Sequence, residues 1–84
     1  MIRLDHIGFV TKDIESLAGV FKALGISDIT EPIENPSQKV AASFANVGDK
    51  EDVYVEILEP TRDDSPISKF LEKQGDRLHH LCFE

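Results

Sequence analysis

Ile2-Arg3-Leu4-Asp5-His6-Ile7-Gly8-Phe9-Val10 is the stretch on which the fold turns. Its β-branched and aromatic content marks a strand. The two-residue period of a strand puts Ile2, Leu4, His6, Gly8 and Val10 on one face, and Arg3, Asp5, Ile7 and Phe9 on the other. The period then changes. Ile14, Leu17, Ala18, Phe21 and Leu24 recur at helical spacing, and Thr11 or Asp13 can cap the start. Gly25 stands where a left-handed C-terminal residue is wanted. Gly19 inside this helix costs about 1 kcal/mol relative to alanine.

Beyond the helix, residues 26 to 33 read as a weaker strand broken by Pro32. Glu34-Asn35-Pro36-Ser37-Gln38 has loop chemistry, because Asn-Pro biases toward a turn. Val40 to Val47 is a strand of small apolar residues in which Phe44 is the one large side chain. Gly48-Asp49-Lys50-Glu51 predicts a hairpin connection, and Asp52 to Leu58 is the clearest strand of the chain. Residues 1–60 thus form one βαβββ module of the α+β class. Pro60 ends it. Residues 61–76 predict a linker with a short helix that starts at Ser65 with Pro66 in its first position, carries Ile67, Phe70 and Leu71 as its apolar stripe, and stops at Gly75. Residues 77–84 form one further strand, which needs a neighbour to cover its edge. This last strand echoes the first: Leu78-His79-His80-Leu81-Cys82 repeats the pattern of Leu4-Asp5-His6-Ile7-Gly8, with a histidine before an aliphatic residue.

With 84 residues the chain supports one small domain, whose core is thin. Nine basic residues stand against 16 acidic ones, a net charge of -7, so no basic stripe exists to neutralise nucleic-acid phosphates. Cys82 is the single cysteine, which excludes an internal disulfide and points to a reducing, cytoplasmic setting. Asp5, His6 and Asp13 interrupt the N-terminal apolar residues too early for a signal peptide. No apolar run approaches the ~20 residues needed to span a membrane, so no membrane partner is expected.

Three residues carry most of the chemical interest. His6, Glu56 and His80 all lie within predicted strands among aliphatic neighbours. A carboxylate between Val55 and Ile57 must face water or find a positive partner, because an unpaired buried charge is very costly. Two imidazoles and a carboxylate on one sheet face make a divalent-metal site of mixed nitrogen and oxygen donors, suited to Co, Mn, Fe, Ni or Zn. The spacing is not itself specific, and solvent-facing strand residues are the alternative. Strand phase sends His79 to the face opposite His80. Cys82 reads as a small buried hydrophobe, since no Cys-x-x-Cys or Cys-His motif accompanies it. Glu56, Glu59, Asp63 and Asp64 read as a solvated acidic rim without the ligand alternation of a calcium loop. Neither a phosphate-cradling glycine loop nor a nucleophile elbow is present.

The chain resembles the vicinal oxygen chelate superfamily, which includes glyoxalase I, extradiol dioxygenases and antibiotic-resistance proteins, and within it the methylmalonyl-CoA epimerase family. The resemblance is carried by Leu4-Asp5-His6-Ile7-Gly8, by residues 34–40, by Val55-Glu56-Ile57-Leu58-Glu59-Pro60, by residues 64–73 with their Asp-Ser-Pro-Ile start, and by Leu78-His79-His80-Leu81-Cys82-Phe83-Glu84. It covers the first module and the start of a second. It implies two βαβββ modules whose curved sheets enclose one divalent ion (Co, Mn, Zn or similar), with His6, Glu56 and His80 as ligands. It also implies an acyl-CoA thioester or other small molecule as substrate and exchange of the hydrogen alpha to the thioester as the reaction. A homo-oligomer is expected because the half-sheet otherwise exposes an apolar face and an edge. Two of the family's features are missing: a fourth ligand, a glutamate, would lie beyond Glu84, and the acid that one branch places on the third strand falls on Ala42. No catalytic acid/base residue is therefore assigned. Two other functions remain open: a non-catalytic small-ligand-binding module, and a glyoxalase- or dioxygenase-type metalloenzyme, against which the helix at residues 64–73 argues. If first modules of two chains packed together, the strand at residues 77–84 would have to move aside.

Overall fold

The computed structural model describes residues 2–47 and 53–84. The elements run β1 (Leu4–Val10), α1 (Ile14–Ala23), β2 (Ile33–Asn35), β3 (Val40–Asn46), β4 (Tyr54–Pro60), α2 (Ser68–Gln74) and β5 (Arg77–Phe83). One sheet holds all five strands in the order β2-β3-β4-β1-β5. β1 and β4 are parallel, and the other neighbours are antiparallel. The α+β architecture of the βαβββ reading is therefore present, with the extra helix and strand appended. The expected hairpin at residues 48–51 lies outside the described residues.

The alternation along β1 separates two apolar clusters. Phe9 points to the α1 side, where Ile14, Ala45, Val55 and Ile57 form the buried centre, with Leu17 and Phe21 packed on it. Val10, one residue on, points to the other side and packs with Ile67 and Leu71 from the α2 region. The two helices thus cover opposite faces, and the α2 face is the one that also carries His6, Gly8 and Glu56.

Polar side chains tie the ends of these elements. Asp13 is the N-cap of α1, accepting from the Ser16 amide at 3.3 Å and the Ser16 hydroxyl at 2.8 Å. The Glu59 carboxylate accepts from the Ile14 amide at 2.8 Å, satisfying another unpaired donor of the first turn. Thr11, the other cap candidate, is fully buried and donates instead to Asp76 Oδ2 at 2.6 Å. Asp76 also accepts from the Lys12 amide at 3.0 Å. The turn after β1 is in this way fastened to the residue before β5.

Four local expectations need correction. The weak strand at residues 26–33 is irregular apart from one bridge, Ile29 to Ala45; β2 itself is Ile33–Asn35 and takes in residues that read as loop. Pro32 has no amide hydrogen to give a ladder, so pairing starts only after it. Leu24 is not on the apolar stripe of α1: it is the C-cap and is exposed. Gly25 follows it with φ +96°, as a helix end requires. Finally, α2 begins at Ser68 rather than Ser65. Ser65 to Ile67 form turns, with the Ser68 amide donating to the Ser65 carbonyl at 3.0 Å.

Candidate metal centre

β1 lies between β4 and β5, and this places the three singled-out side chains together. Gly8 is aligned with Glu56 on one side and with His80 on the other, while His6 sits one step along the same face, aligned with Tyr54 and Cys82. The Nε2 atoms of His6 and His80 are 3.2 Å apart. Glu56 Oε1 is 3.5 Å from His80 Nε2 and 3.8 Å from His6 Nε2. All three side chains are partly buried, His6 most and His80 least.

This triangle can be tested for fit to a cation. Donors held about 2.1 Å from one ion lie about 3.0 Å apart at right angles and about 3.4 Å apart at tetrahedral angles. The observed edges of 3.2, 3.5 and 3.8 Å therefore need only tenths of an ångström of adjustment. The donor set, two imidazoles and one carboxylate with the remaining directions open, suits Co, Mn, Fe, Ni or Zn. The residues fit a divalent ion.

Neighbouring residues explain why these side chains stand where they do. A Cβ on Gly8 would overlap the ring of His80, so only glycine allows that imidazole to lie across β1. Tyr54 stacks on His6, with ring centroids 4.9 Å apart and planes 21° apart. Burial, with Asp5 and Glu56 nearby, pushes the Tyr54 phenol above its ordinary value. Asp5 Oδ2 is 2.9 Å from His6 Nδ1. The His6 hydrogen bond holds the Asp5 carboxyl below the usual carboxylate range.

His79 departs from its expected orientation. Gly8 is aligned with His80 but Phe9 with Leu78, so His79 is an unpaired extra residue in a β-bulge. Its ring stays on the α2 face. It meets Phe70 of α2 edge-on at 4.8 Å, and its Nδ1 is 3.0 Å from His80 Nδ1. Burial, followed by the charge of His80, lowers the His79 pKa. A second register shift leaves Asp5 as the extra residue of β1 beside His6. Each of the two histidines thus has a polar neighbour at its Nδ1 placed by a bulge. Cys82 is only half-buried and shares a cluster with Asp5 and His6, unlike the inert core residue expected. The acidic rim is also reassigned in part: Glu56 turns into the site, Glu59 caps α1, and Asp64 accepts from Lys39 Nζ at 2.7 Å.

A cleft of about 350 Å³ opens from Glu56 between β2, β3 and β4 and the residues leading into α2. Val40, Ala42, Phe44, Leu58 and Ile67 make its wall apolar, and Asn35 and Gln38 stand at its polar side. Among its lining residues Glu56 alone is ionisable. Ala42 lines the wall next to Phe44 and brings no acid.

A profile of the glyoxalase/bleomycin resistance protein/dioxygenase superfamily matches residues 5–84. The chain belongs to this superfamily. Bovine mitochondrial methylmalonyl-CoA epimerase is 32% identical over 83 residues, which are 98% of this chain and 46% of the bovine protein. A variant of Streptomyces coelicolor methylmalonyl-CoA epimerase in complex with 2-nitronate-propionyl-CoA superposes with a TM-score of 0.85 at 33% identity, over 96% of this chain and 58% of that one. A methylmalonyl-CoA epimerase in complex with methylmalonyl-CoA and NH4+ superposes with a TM-score of 0.86 at 32% identity, over 99% and 60%. The chain spans about half the length of the curated relatives it matches.

Strand phase was enough to group His6 with Gly8 and Glu56 with Tyr54. It did not find Gly8, Tyr54 or Asp5 as parts of the site. For Gly8 a signal existed, a glycine in mid-strand beside a histidine, which marks a bulge or a close approach.

Proposed function

We propose that the chain takes part in metal-assisted exchange of the hydrogen alpha to a CoA thioester, as a methylmalonyl-CoA epimerase does. The observation that carries this is the convergence of His6 Nε2, His80 Nε2 and Glu56 Oε1, with Glu56 also lining an apolar cleft. The likeness to epimerases holding CoA thioesters supports the substrate class. His6, Glu56 and His80 would hold a divalent ion (Co, Mn or Zn). That ion supplies Lewis-acid stabilisation for the oxygens of a carboxylate and a neighbouring thioester. The apolar wall of Val40, Ala42, Phe44 and Leu58 excludes water from the alpha carbon, and Asn35 and Gln38 offer hydrogen bonds to a polar group entering the cleft. Cytoplasmic location and self-association through exposed Leu81 and Phe83 complete the reading.

A second reading is favoured by one observation. Ala42 stands on the cleft wall, at the third-strand position where one branch of the resembled family carries an acid, which suits a module that binds a small ligand without turning it over. One experiment separates the two. The chain is incubated with Co2+ and methylmalonyl-CoA in deuterated water, and the mass of the thioester is followed. Gain of one deuterium, lost in Glu56→Ala, supports exchange. Binding without deuterium gain in Co2+, Mn2+ and Zn2+ overturns it in favour of the binding module.

A further inference from the structure

We propose that Asp5 is a positioning residue: by accepting the Nδ1–H of His6, it fixes that imidazole in the tautomer whose Nε2 lone pair faces Glu56 and His80. The inference rests on reading His6 as a metal donor, but its structural half stands on geometry alone.

A neutral imidazole carries one N–H, and an ionised carboxylate can only accept. In the neutral ring, the 2.9 Å separation of Asp5 Oδ2 and His6 Nδ1 puts that N–H on Nδ1 and leaves Nε2 without a hydrogen. Nε2 is the atom that lies 3.2 Å from His80 Nε2 and 3.8 Å from Glu56 Oε1. Arg3, two positions before Asp5, donates its Nε–H to Glu84 Oε1 at 2.7 Å. The bulge explains how two successive strand residues come to touch. With Leu4 aligned to Phe83 and His6 to Cys82, Asp5 is the unpaired residue, and its carboxylate swings beside the ring that follows it. Tyr54 stacks on the face of the same ring. One partner thus fixes the edge of His6 and another its plane, leaving the imidazole little freedom to flip. Partners of this kind, behind a metal-binding histidine, are typically worth about 10–100-fold in metal affinity.

The test uses the chain with 15N-labelled histidine at neutral pH, with Co2+ as the probe. Imidazole nitrogen spectra of the metal-free protein read the tautomer, and visible absorption during Co2+ titration reads affinity. In the unsubstituted chain the expected His6 signal is Nδ1–H. Asp5→Ala is expected to lose that preference and weaken Co2+ binding about 10–100-fold. Asp5→Asn, whose amide oxygen accepts the same N–H, is expected to recover most of both. A His6 Nε2–H signal in the unsubstituted chain overturns the inference, as does an Asp5→Ala protein with the same tautomer and Co2+ affinity within twofold. If the unsubstituted chain binds no Co2+, the metal reading fails, and the imidazole spectra alone decide the role of Asp5. If Asp5→Ala does not fold, the Asn variant and the unsubstituted spectrum carry the same decision.

Discussion

At the scale of single residues, the site depends on a side chain that is missing. Gly8 separates Glu56 from His80 in the row across β4, β1 and β5, and any Cβ there would enter the space of the His80 ring. Gly8→Ala is expected to turn His80 away from the other two donors and to weaken Co2+ binding by at least tenfold, with His6 and Glu56 still in place. A Co2+ titration followed by visible absorption checks this, and unchanged affinity would mean that His80 is not a donor. The three candidate donors were legible in the sequence because each is an unusual residue in an aliphatic strand. Their arrangement was legible only in part. The alternation of β1 gives the face of His6, and that of β4 gives the face of Glu56. The orientation of His79 was not legible, because it follows from a bulge created by the pairing of β5 with β1, some 70 residues away in sequence. Alternation within one strand cannot report such a shift.

At the scale of elements, α1 was well marked because its signals are local: period, cap and terminal glycine. The β2 region was misplaced because its pairing with β3 is set by Pro32 and by where β3 lies, not by its own composition. The cap of α1 carries a pH dependence. Hydrogen bonds from Ser16 hold the Asp13 carboxyl below the usual carboxylate range. The unfolded chain then takes up this proton more readily than the folded one. The stabilisation is complete above the ordinary aspartate pKa of about 3.9 and is lost as pH falls from there through the lower native value. Asp13→Asn keeps the capping oxygen but cannot titrate. Thermal melts between pH 6 and pH 3 are expected to show a shallower loss of stability in this variant than in the unsubstituted chain. Identical slopes would contradict the role of the cap in acid lability.

At the scale of the whole molecule, β5 decides how the site is completed. It pairs with β1 along its length and brings His80 to His6 within one chain, so this edge of β1 is closed to another strand. A site rebuilt from the first modules of two chains therefore requires β5 to leave. Leu81 and Phe83 of β5 are about half exposed, and the proposed self-association runs through these apolar side chains. Sedimentation of Phe83→Lys should then show a smaller species than the unsubstituted chain, and equal masses would exclude this surface. The account as a whole rests on one cation position. Crystals soaked in Co2+ and measured at the cobalt absorption edge test it most directly. The predicted result is a single anomalous peak about 2.0–2.2 Å from His6 Nε2, His80 Nε2 and a Glu56 carboxylate oxygen. A fully occupied cobalt bound elsewhere, with these three side chains unengaged, would contradict it.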